Sequence, residues 1–146
     1  MYRENKLVEP GGITLMETDV DLSAIDMPTF ILSTREDHIA PWKSTYRATQ
    51  IYGGPVTFTL AASGHIAGVV NPPGPAKYGF WTNAKKPKDP DAWFAGAKEH
   101  KGSWWPTWRK WLAKYAGEKT DARVPGDRKL PALEDAPGSY VKVRTE

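Results

Sequence analysis

Two polar residues stand where a sheet protein commonly does chemistry. Asp37 follows the apolar run of MPTFILSTRED, and His65 follows the run of GPVTFTLAASGH. A carboxylate that accepts a hydrogen bond from one imidazole nitrogen fixes the ring's tautomer and stabilises its cation. The other nitrogen is then free to take a proton from a nucleophile. The 28 residues from Asp37 to His65 are what a loop, a short helix and a strand consume. Spacing alone does not separate this pair from a solvated loop carboxylate and a loop histidine. The nucleophile itself is missing. The chain has 0 cysteines, and no G-x-S-x-G or G-x-C-x-G elbow occurs in it. Ser33 falls at a strand end, Ser63 precedes His65, and Ser103 suits a helix cap. His38 reads as a loop neighbour of the acid, and His100 as a solvated residue on a Lys-rich helix. The 3 histidines include no H-x-x-x-H pair and no carboxylate cluster, so neither a metal site nor a cofactor is expected.

The elements that must position the pair are readable. Residues 1–26 suggest a loop and at most one short strand. Pro28 opens a strand from Thr29 to Ser33 whose Phe30, Ile31 and Leu32 are apolar on both faces, as in a covered parallel strand. A helix over Lys43–Tyr52 follows Pro41, and Gly53-Gly54-Pro55 stops it. Val56–Leu60 alternates apolar residues with threonine, a strand pattern. Strand, helix, strand makes a βαβ unit with parallel strands and a right-handed crossover. An acid after one such strand and a histidine after the next is how α/β-hydrolase sheets present two triad members, in the chain order nucleophile, acid, histidine. Downstream, 71–90 reads as a long Pro-, Gly- and Lys-rich loop. A helix begins at Asp89-Pro90 with Trp93, Phe94 and Ala97 on one stripe. A second, capped by Ser103 and stopped at Gly117, carries Trp104, Trp108, Trp111, Leu112 and Tyr115 as a packing face. The polar remainder predicts an extended tail. Two parallel strands leave edges and an apolar face open, so the isolated chain is expected to be unstable or to associate.

Composition bounds the function classes. At 146 residues one domain suffices. No apolar run reaches the roughly 18–20 residues a membrane helix needs, and the start lacks a signal-type apolar core. The absence of cysteine excludes disulfides and fits a cytoplasmic setting. Net charge is +3 but uneven: residues 1–75 carry 5 basic and 8 acidic groups, residues 76–117 carry 9 and 3. Such an excess can attract phosphate-bearing ligands, nucleic acid or an anionic surface, although a solvated helix face is the favoured reading. No nucleic-acid motif lies beside it.

Longer stretches carry a resemblance. REDHIAPW, ASGHIAGVVNPP, FWTNA and EHKGSWWPTWRKWL resemble the C-terminal part of poly(3-hydroxyalkanoate) synthases, particularly the class I type. The similarity runs from about Leu7 through Trp111, and APGSYVKVR is similar to that family's close. The resemblance implies the C-terminal portion of an α/β-hydrolase fold over 1–117, an incomplete sheet, and a polar tail over 118–146. It implies acyltransfer that polymerises (R)-3-hydroxyacyl-CoA into polyester with release of CoA. Asp37 matches the family's catalytic aspartate and His65 its catalytic histidine. In that family the histidine activates a cysteine in a G-x-C-x-G elbow, and the aspartate either orients the histidine or helps activate the attacking 3-hydroxyl. The implied partners are the acyl-CoA, the growing polyester, a nucleophile-bearing remainder of the synthase, a second copy in a homodimer, and the granule surface. Without a cysteine the chain alone is expected to be inactive. Two other readings share these residues: a non-catalytic piece that binds granules or synthase, and the tail of a serine esterase or depolymerase.

Overall fold

The computed structural model describes residues 3–75, 77–124, 126 and 130–144. Two compact units divide it, Met1–Tyr115 and Ala116–Glu146. The first unit holds all the strands and α-helices among the described residues: β1 Thr14–Leu15, β2 Thr18–Asp19, β3 Thr29–Thr34, α1 Trp42–Tyr46, α2 Ala48–Ile51, β4 Val56–Ala61, β5 Phe80–Thr82, α3 Pro90–Ala95, β6 Lys98–His100 and α4 Trp105–Leu112. The main sheet has the order β3-β4-β5-β6. β3 and β4 run parallel in the register Thr29↔Val56 to Thr34↔Ala61, the βαβ unit expected from the sequence.

The remaining pairings differ from expectation. β5 lies antiparallel to β4, and β6 antiparallel to β5. The sheet is therefore mixed, not only parallel, and 71–90 is not all loop. Lys98–His100 is an edge strand where a helix surface was expected; charges at an edge discourage pairing with another chain. The helix expected over 43–52 is two short pieces meeting at Arg47. There Arg47 and Gln50 donate their N–H groups to the carbonyls three residues back, Ser44 and Arg47, a tighter pattern than the α-helix. The N-terminal segment forms a hairpin, with Met16 and Glu17 both at positive φ.

One face of the sheet carries the aromatic core. Tyr46, Phe58, Leu60 and Trp93 are buried together, flanked by Ile31, Trp42, Trp81, Phe94 and Ala97. The Trp93 ring centroid lies 5.0 Å from Phe58 and 5.6 Å from Tyr46. Phe30 neighbours Ile31 in β3 and so faces the other way, where it meets Trp104 and Trp111 of the α4 region at 6.3 and 5.4 Å. Helices thus cover both faces of β3. The tryptophan stripe is only partly engaged: Trp108, Leu112 and Tyr115 remain exposed. Entry to β3 depends on Gly54. A side chain there would put Cβ 2.2 Å from the Asp26 carbonyl oxygen, while its N–H donates to Ile25 O at 2.8 Å. In the second unit a 3₁₀ turn, Ser139–Lys142, is started by Glu134, whose Oε1 accepts from Ser139 N–H and Oγ.

Candidate active site

The carboxyl ends of β3 and β4 bring the two predicted site residues together. Asp37 follows β3 by three residues and His65 follows β4 by four. The approach is tight: Glu36 N–H donates to Ser63 O at 3.0 Å, and Ser63 takes φ 71°, a strained conformation for a residue with a side chain. That turn delivers His65 Nδ1 to 4.0 Å from Asp37 Oδ1. The separation is an ion-pair distance rather than a hydrogen bond, and such contacts commonly tighten when a site is completed by substrate or partner.

Asp37 is held from its own loop. Its Oδ1 accepts the backbone N–H groups of Ile39 at 2.8 Å and Ala40 at 3.0 Å. The Ala40 bond is the largest cause holding the Asp37 carboxyl below its ordinary range. The Ile39 bond and the neighbouring His65 and His38 add to it against the opposing desolvation. The side chain is 13 % exposed, and that of His65 39 %. Because the folded state lowers this pKa, its stabilising effect is full above the ordinary aspartate value, about 3.9. It is lost as pH falls through the folded value. We therefore expect the 35–40 loop to stay ordered from pH 8 down to pH 5 and to loosen only below about pH 4. Proton NMR of the Ile39 and Ala40 amides during an acid titration checks this.

His38 was expected to be only a loop neighbour, but its ring lies edge-on to His65 at 5.6 Å. His100 corrects the expectation of a solvated helix residue. It stands on β6, stacks on Phe80 at 4.7 Å, and its Nε2 lies 2.8 Å from Thr82 Oγ1. Its position in β6 makes it structural. Among the described residues no group of three or more His, Cys, Asp or Glu is arranged to hold a metal.

The turn after His65 is closed by two helix-like bonds, Gly68 N–H to Gly64 O and Val70 N–H to Ile66 O. Gly68 admits no side chain: Cβ would sit 2.4 Å from Ala62 O and 2.6 Å from Thr34 Cγ2. Gly68→Ala is expected to cost about 1–3 kcal/mol through overpacking, read as a lowered urea midpoint. At the far end Asn71 Nδ2 donates to Tyr78 O at 2.8 Å. No sequence signal announced these supports; the approach of Gly68 to Thr34 in particular joins distant parts of the chain, which spacing does not encode.

No family model matches the chain. Curated relatives do. The chain is 49% identical over 144 residues, 98% of its length, to the poly(3-hydroxyalkanoate) polymerase subunit PhaC of Cupriavidus necator. It is equally similar, 49% over 144 residues, to the poly(3-hydroxyalkanoate) polymerase of Methylorubrum extorquens. The subunit PhaC of Rhizobium meliloti matches at 46% over 143 residues. The chain covers 24%, 24% and 23% of these proteins, so it spans about a quarter of the length of the curated relatives it matches. Along 98% of its residues, then, the chain is similar to one stretch, about a quarter, of poly(3-hydroxyalkanoate) polymerases.

Proposed function

We propose that this chain is the C-terminal α/β-hydrolase segment of a class I polyhydroxyalkanoate synthase. In this reading it supplies the acid and base of a Cys-His-Asp triad whose cysteine comes from other polypeptide. The observation that carries the reading is the meeting of Asp37 and His65 at the carboxyl ends of adjacent parallel strands, 4.0 Å apart. His65 takes the thiol proton, and the thiolate attacks the thioester carbonyl of (R)-3-hydroxyacyl-CoA. The CoA sulfur leaves with that proton, and the acyl group stays on the cysteine as a new thioester. In elongation a 3-hydroxyl oxygen attacks a thioester carbon, so an ester bond forms as the carbon–sulfur bond breaks. His65 passes the hydroxyl proton to the departing sulfur. Asp37, kept ionised at neutral pH by its two backbone donors, orients the ring and stabilises the imidazolium. The proposed setting is the cytoplasm at the polyester surface. No helix among the described residues is long and apolar enough to cross a membrane.

The test is a chimaera in which the matching quarter of the Cupriavidus necator polymerase is replaced by this chain. The chimaera should release CoA from (R)-3-hydroxybutyryl-CoA, and the 146-residue chain alone should release none. CoA release by the chain alone, abolished by His65→Ala, would overturn the need for an outside cysteine.

A further inference from the structure

The turn carrying His65 is held by groups from a distant part of the chain. Trp105 Nε1 donates to Val69 O at 3.0 Å. Trp104 Nε1 is shared between Val69 O and Gly68 O, both at 3.2 Å. Two consecutive indoles therefore converge on one carbonyl four residues beyond the histidine. Convergence is unusual for neighbours on a helix, whose side chains diverge by about 100°. It arises here because the pair straddles the helix start: Trp104 precedes α4, Trp105 opens it, and Ser103 Oγ accepts the Trp105 N–H at 3.1 Å. Pro106 sets the first turn without needing a partner for an N–H.

The other side of Trp104 meets Phe30, and Trp111 meets the same ring. Phe30 belongs to β3, the strand that ends at the Asp37 loop. The start of α4 thus touches both the strand of the acid and the loop of the histidine. We propose that Trp104 and Trp105 are positioning residues for His65, holding its turn in register with Asp37 through their indole N–H groups. This rests on the reading of His65 as the general base. A base that must meet both a carboxylate and a thiol tolerates little displacement, since errors of about 1 Å can cost about a hundredfold in rate. Trp108 supplies the contrast. It is on the same stripe, exposed, and among the described residues makes no side-chain hydrogen bond to the turn.

Phenylalanine keeps an aromatic ring and removes the N–H, which separates positioning from packing. In the chimaeric polymerase, Trp104→Phe with Trp105→Phe should lower kcat about tenfold or more and leave KM for (R)-3-hydroxybutyryl-CoA within about twofold. Amide hydrogen exchange at Gly68 and Val70 should quicken about tenfold while Phe58 and Leu60 in β4 stay protected. Trp108→Phe should change neither. If β4 loses protection in the double variant, Trp105→Phe alone decides by the same readouts, since it leaves the Phe30–Trp104 contact in place. Unchanged kcat and unchanged exchange at Gly68 and Val70 would overturn the proposal and leave the role of His65 standing. Full activity of His65→Ala would instead sink the role of His65, with the exchange result unaffected.

Discussion

His65→Ala in the chimaeric polymerase is expected to lower the rate of CoA release by at least about a thousandfold, with protein expression and folding retained. The size follows from the unit behaviour of such triads, in which losing the base costs nearly as much as losing every member. The side chain is 39 % exposed and its removal leaves no buried group unpaired, so a fall of that size cannot come from unfolding. Asp37→Asn should cost less than His65→Ala but still about a hundredfold or more, because the amide can no longer stabilise an imidazolium. It would also weaken the Asp37 Oδ1 bonds to Ile39 and Ala40, so circular dichroism and exchange at those amides must accompany the kinetics.

Trp93→Ala carries the largest expected effect on stability, about 3–5 kcal/mol, measured by urea unfolding. Trp93 is 0% exposed and sits within ring contact of Trp42, Tyr46 and Phe58. Removing it empties the space between β4 and α3, and the neighbouring rings are too rigid to refill it. Trp93→Phe should cost clearly less. The phenyl ring keeps much of the contact and discards an indole N–H that has no partner among the described residues. Equal losses for the two variants would mean that the core can collapse around the site, contrary to the packing described.

Legibility in the sequence tracked the strength of local patterns. β3 and β4 are six-residue apolar strands bounded by Pro28 and by Gly53-Gly54-Pro55, and both their existence and their parallel pairing could be read. With them came the place of Asp37 and His65, since the ends of such strands leave few alternatives. β5 and β6 have three residues each, too few for a period of two to register, and Lys98-Glu99-His100 is poor in strand-forming types. Their pairing is decided by Phe80 against His100 across the sheet, a tertiary contact. The hairpin turn at Met16-Glu17 was equally silent, because its positive φ values fall on residues that are not glycine or asparagine. For the candidate site, the strand ends pointed to Asp37 and His65, which the fold brings to 4.0 Å. The edge-on His38 ring, the Gly68 approach and the indole bonds to Val69 required folded coordinates.

The thiol that His65 serves in the proposed reading can be titrated directly, through the pH dependence of alkylation of the elbow cysteine by iodoacetamide in the chimaera. With His65 in place that thiol should react as one whose pKa lies below about 7.5, and His65→Ala should return it to the ordinary value near 8.5. A thiol that titrates identically with and without the imidazole would contradict the coupling of this segment to a nucleophile beyond it.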